Sequence, residues 1–108
     1  MTNLFLKVEY LDEIQNIIRH IYPKSEVWAY GSRVEGNAQT AHEGSDLDLC
    51  VKDFGEEHGD VMSLREAFNE SNLPFLIDVF EYQRLPQTFQ QEINKKYVVI
   101  YSAKKDTR

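Results

Sequence analysis

Apolar residues recur at Leu11, Ile14, Ile18 and Ile21, the spacing that lines one face of a helix. That pattern predicts a first helix over residues 9–22, stopped by Pro23 because the residue before proline is pushed out of the helical region. The eight residues ahead of it read as short and extended. The period then changes. EVWAY at 26–30 carries Val, Trp and Tyr, which favour a half-buried extended chain, and it predicts a first strand that Gly31-Ser32 ends. Residues 33–35 read as one helical turn, and the polar, Gly-containing stretch 36–45 as a loop. DLDLCVK at 46–52 is the second strand. An acidic connector leads to a helix over 60–72, with a capping box at Ser63–Glu66 that would start it late. LIDVFEY at 76–82 is the third strand. Pro86 suits the first turn of a last helix over 86–95, and YVVIY at 97–101 closes the chain as a strand. Strands and helices interleave without repeat or linker. The expectation is one α/β domain over residues 1–108, two layers deep, with helices packed on one face of a mixed sheet.

Composition narrows the setting. A chain of 108 residues, 42% hydrophobic, can bury a core without covalent staples. Cys50 is the only cysteine and lies in an apolar run, which reads as a small buried side chain. The first ten residues lack the flank and apolar core of a signal peptide, and no apolar stretch nears the roughly 20 residues of a membrane span. The expectation is a cytoplasmic protein with no membrane contact. Net charge is −6, and the basic residues are scattered apart from Lys95-Lys96 and the tail Lys104, Lys105 and Arg108. Nucleic-acid binders cluster Lys and Arg to neutralise phosphates, so no extended nucleic-acid surface is expected. An acidic chain still binds a nucleotide where metal ions invert the local sign.

The chemistry concentrates in Gly31-Ser32, Asp46-Leu47-Asp48 and Asp78. Side chains alternate along a strand, so Asp46 and Asp48 point one way while Leu47 and Leu49 point into the core. Two carboxylates side by side on a sheet repel, and burying them unpaired is costly. A hard cation relieves this, and Mg²⁺ needs only two or three carboxylates plus substrate phosphates and water. Asp78, between Ile77 and Val79 on another strand, is the natural third carboxylate. Taken alone, a DxD is more often a solvated strand edge, and a Gly-Ser after a strand more often a structural turn. Together they change the odds, because Gly lets backbone approach phosphate and a helix start offers unpaired N–H groups. The remaining candidates carry less. His20 suits a helix end, His58 sits in a polar connector, His42 lies in the loop, and Trp28 reads as core before base-stacking platform. No P-loop is present.

The ordered set resembles the DNA polymerase β-like nucleotidyltransferase superfamily, and within it the minimal, MNT-type branch found beside HEPN-type partners in prokaryotic toxin–antitoxin pairs. VWAYGSRVEGNA is similar to that branch's strand and Gly-Ser segment, GSDLDL to its aspartate strand, and LREAFNESNLPFLIDVFEY to its helix and third-aspartate strand. The ending FQQEINKKYVVIY is similar too. Thirteen residues separate Ser32 from Asp46, against about ten in the family, and loops take such insertions at little thermodynamic cost.

The resemblance implies Mg²⁺-dependent transfer of a nucleoside monophosphate, AMP from ATP. Two ions would be held by Asp46, Asp48 and Asp78, with Asp78 also helping to deprotonate the acceptor. Gly31, Ser32 and Arg33 would bind the nucleotide, although Arg33 could equally form a surface salt bridge. The implied acceptor is a hydroxyl of a HEPN-like partner, which the protein would silence as antitoxin. Two alternatives stand beside this: an antitoxin subunit acting by contact alone, and nucleotidyl transfer to a small molecule. Base preference, number of nucleotides added and homo-oligomer formation are left open.

Overall fold

The structure, a computed structural model, describes residues 4–34 and 46–103. Helix α1 (Val8–Ile21) leads into strand β1 (Glu26–Tyr30). Strand β2 (Leu47–Asp53), helix α2 (Val61–Glu70) and strand β3 (Ile77–Glu81) follow. A 3₁₀ turn over Tyr82–Arg84, helix α3 (Gln87–Lys95) and strand β4 (Val98–Ser102) complete the order. The loop expected over 36–45, with His42 and the longer spacing, lies outside the described residues, as do Lys104, Lys105 and Arg108. No helix among the described residues is long and apolar enough to cross a membrane.

The four strands form one mixed sheet in the order β3-β2-β1-β4. β1 runs antiparallel to β2 and to β4, while β2 and β3 run parallel. Parallel neighbours need a crossover, and α2 supplies it. Strand alternation assigns the faces. Val27, Ala29, Leu47, Leu49, Val51, Ile77 and Val79 all turn to one side, where they meet Ile14 and Ile18 of α1 and Leu64 and Phe68 of α2. Those helix residues are spaced four apart, so each helix lays one stripe on the sheet. A register shift in the β1–β4 ladder changes the alternation, leaving Ile100 and Tyr101 both in this core.

The second face departs from the one-sided expectation. Trp28, Tyr30 and Cys50 cluster there with Tyr82 and with Ile93 of α3. The α3 sequence carries one deeply buried residue, Ile93, so it reads as a weakly packed helix. What draws it to this face is the apolar ground left by Trp28 and Cys50.

Local capping differs as well. α2 starts at Asp60, whose carboxylate accepts from the backbone N–H of Met62 at 2.8 Å, so the Ser63 box does not delay it. Pro86 sits at the N-cap of α3, one position ahead of the first turn. α1 ends at Ile21, with Arg19 and His20 in the last turn, where positive charge suits the helix dipole.

Both sheet edges are blocked by side chains. Arg65 of α2 donates from Nε and Nη2 to the carbonyl of Val79 at 2.8 and 2.6 Å. On the far edge, Gln15 of α1 donates to the carbonyl of Ile100 at 2.8 Å. An exposed strand edge invites pairing with another chain, and these two contacts occupy an acceptor on each side.

Candidate active site

The parallel register of β2 and β3 sets Asp48 directly beside Asp78, and the antiparallel register of β1 and β2 sets Tyr30 beside Asp48. Residues paired across a sheet share a face. Tyr30, Asp48 and Asp78 therefore form one row across three strands, on the face opposite α1 and α2. Asp46, just ahead of β2, has the same parity and is exposed. The backbone N–H of Leu47 donates to the carbonyl of Leu76 at 2.9 Å, which ties the start of β2 to the chain entering β3.

Gly31 follows Tyr30 at the end of β1. Its φ is +88°, a region that L side chains rarely adopt. A β-carbon here would collide with Oδ2 of Asp48. Glycine is thus required twice, for the turn and for the closeness of backbone to carboxylate. Ser32 is partly exposed beside it. The expected helical turn is replaced by a single hydrogen-bonded turn, in which the Val34 N–H donates to the Gly31 carbonyl at 3.0 Å, before Val34 bridges to Leu4. The N–H groups near Gly31 therefore belong to a turn, and no helix dipole is added by the described residues.

Electrostatics couples the row. The Asp48 carboxyl is pushed up to about 6, first by its burial and then by the charges of Asp78 and Asp46. Burial and the carboxylates of Asp48 and Asp78, together with Cys50, raise the Tyr30 phenol above its usual range. Tyr30 stays neutral, with its hydroxyl proton in place. Among the described residues, no group of three or more His, Cys, Asp or Glu side chains is placed to hold a metal ion. The expected tight metal-sharing cluster is therefore not formed, and the three carboxylates instead share one face with Asp48 coupled to the other two. Like charges resist ionising together, and a cation relieves that repulsion. The all-oxygen chemistry of the three and the charge burden on Asp48 fit a hard divalent ion.

Arg33 is placed differently from either expectation. It is 3% exposed. Its guanidinium donates to the Phe5 carbonyl at 2.8 Å and lies 4.3 Å from the Phe75 ring centre. The Phe5 N–H donates in turn to the Arg33 carbonyl at 2.6 Å. Arg33 is a buried group and not a surface side chain. It fastens the chain leaving Gly31-Ser32 to the N-terminal segment.

Trp28 is core. Its indole stacks on Tyr97 at 3.9 Å, meets Tyr82 edge-on and donates to Glu26 at 2.7 Å. Lys52 holds its ammonium 4.4 Å from the Tyr82 ring centre. Cys50 is fully buried, and burial pushes its thiol up to about 12, so it is inert at neutral pH. His58 is exposed beside Glu57, away from the row. Sequence reasoning missed Tyr30. Its signal was parity: it shares the strand face of Trp28 and immediately precedes Gly31.

A mixed sheet with three carboxylates on one face, beside a glycine turn, is the arrangement expected of an α/β nucleotidyltransferase. The chain belongs to the polymerase β nucleotidyltransferase family, whose model matches residues 12–106. It is 38% identical over 105 residues to a Haemophilus influenzae protein named Probable protein adenylyltransferase MntA, a match covering 94% of this chain and 88% of that relative. Its fold is similar to a chain in a solved structure described as a toxin-antitoxin with AMP-PNP. The TM-score is 0.65 at 19% identity, over 89% of this chain and 76% of that one.

Proposed function

We propose that the protein transfers AMP from ATP to a hydroxyl of a HEPN-like partner protein and acts as the antitoxin of that pair. The observation that carries this reading is the register of Asp48 against Asp78 beneath Gly31. It sets two carboxylates beside the backbone turn at Gly31. The adenylyltransferase name of the relative and the toxin-antitoxin setting of the structural neighbour support the same direction.

In this reading Gly31 and Ser32 receive the outer phosphates, with Gly31 keeping the backbone close to the Asp48 carboxylate. Asp46, Asp48 and Asp78 would hold magnesium, two ions in all, and the all-oxygen donor set suits it. When bound, magnesium neutralises phosphate charge and supports in-line displacement. Asp78, exposed at the rim of the row, accepts the proton of the acceptor hydroxyl. The acceptor oxygen bonds to the α-phosphorus, the bond to the bridging oxygen breaks, and pyrophosphate leaves. Arg33 acts here by holding the turn in place. Orientation of two reactants supplies up to about 7–11 kcal/mol, and a docked protein acceptor brings that orientation with it.

Co-purification with the partner and intact-mass analysis after incubation with ATP and Mg²⁺ tests the reading. The partner gains adenylyl mass on a tyrosine. A partner that binds tightly and gains none leaves a subunit that acts by contact alone.

A further inference from the structure

We infer that Phe89 of α3 is the platform on which the base of the bound nucleotide stacks, a subsite that rests on the nucleotidyltransferase reading of the carboxylate row. Phe89 and Ile93 are four residues apart and share one stripe of α3. Ile93 is buried in the cluster of Trp28, Tyr30 and Cys50. One turn earlier the same stripe presents Phe89, which is 40% exposed. An aromatic on the inward stripe of an amphipathic helix is normally covered. The Phe89 ring meets Tyr30 in a T-shaped contact, at 5.9 Å and 87°.

Tyr30 belongs to the row that contains Asp48 and Asp78 and precedes Gly31. The open ring therefore stands one side chain away from the carboxylates. A base lies one sugar beyond the α-phosphate, so a nucleotide anchored at that row can bring its base to a ring that is one side chain removed from it. The other exposed aromatic on the same sheet face, Phe80, is already engaged by Arg65, whose guanidinium lies 5.4 Å from its ring centre. A neutral heteroaromatic ring suits Phe89, because stacking on an aromatic is tolerant of base identity.

Two ligands separate the base subsite from the phosphate grip. Affinities of ATP and of inorganic tripolyphosphate, each with Mg²⁺, are measured for the full chain and for Phe89→Ala, Phe89→Leu and Phe89→Trp. Phe89→Ala weakens ATP by about 5–100-fold, the span of one base–aromatic stack, and leaves tripolyphosphate within about twofold. Phe89→Leu keeps an apolar side chain and loses ATP similarly, while Phe89→Trp keeps it. Unchanged ATP affinity in Phe89→Ala overturns the subsite. Equal losses for both ligands overturn it too, because the residue then supports the fold or the phosphate grip. Failure of the unaltered protein to bind either ligand overturns the nucleotidyltransferase reading, and the subsite with it.

Discussion

The two faces of the sheet are built from the same strands and obey opposite rules. Under α1 and α2, Leu47, Leu49, Val51, Ile77 and Val79 are almost wholly buried, and each contributes to stability in proportion to the apolar area it removes from water. Across the sheet, Asp48 and Asp78 sit between those residues in sequence and share no such burial. The Asp48 carboxyl is raised first by its own desolvation and then by repulsion from Asp78 and Asp46, and both work against the fold. One face holds α1 and α2 by apolar burial, and the other adds, beside the Trp28–Cys50–Ile93 cluster, a carboxylate row that costs stability.

The largest expected effect is on transfer. Asp48→Asn and Asp78→Asn each lower it by about 10²–10³-fold, on the order of 3–4 kcal/mol of transition-state stabilisation. Their melting temperatures equal or exceed that of the unaltered protein. Single-turnover transfer and thermal melting on the same preparations check both halves. A variant that melts early would show that the carboxylate supports the fold.

Leu49→Ala, one residue from Asp48 and facing the other way, does the reverse. Removing a fully buried leucine costs about 2–5 kcal/mol of stability, read from denaturant midpoints. Transfer per folded molecule falls little at low temperature. Gly31→Ala blurs the two faces, since its β-carbon meets Asp48 and its φ is unfavourable. Strain of about 1–3 kcal/mol accompanies displacement of the carboxylate, and transfer drops by about 10–10²-fold, because small misplacements are expensive in rate. Near-normal transfer by Gly31→Ala would show that backbone closeness at Asp48 is dispensable.

The smallest effect is on pH dependence. The folded Asp48 pKa, about 6, lies above the ordinary 3.8. Between those values the folded state holds a proton that the unfolded state releases, so this group's contribution to stability declines as pH rises from about 4 to about 6 and is flat above. Melts of metal-free protein should show Asp48→Asn gaining on the parent across that window and keeping the gain at pH 8. A constant difference at every pH would remove the coupling.

Much of the architecture was legible because it depends on local spacing. β1 occupies the span its apolar and aromatic residues predict, and the alternation of Leu47 and Leu49 with Asp48 fixed which way the carboxylate turns. The facts that escaped were relational. Parity placed Asp48 and Asp78 on definite faces of their own strands, but only the β2–β3 register sets one against the other. Arg33 reads as a phosphate contact or a surface salt bridge, and its burial, its bond to the Phe5 carbonyl and its contact with Phe75 depend on an N-terminal segment that local spacing does not place. The position of α3 depends on apolar ground supplied by Trp28 and Cys50, far away in the chain. Tyr30 joins the row through the β1–β2 register, and Phe89 comes near it only through the packing of α3.

Labelled ATP distinguishes the alternatives at the level of the bond that breaks. The protein, in complex with its partner, is incubated with Mg²⁺ and ATP carrying the label on either the α- or the γ-phosphorus. The account predicts label on the partner from α-labelled ATP, none from γ-labelled ATP, and none from either with Asp78→Asn. Label arriving from the γ-position, or no label from the α-position in a tight complex, would contradict it.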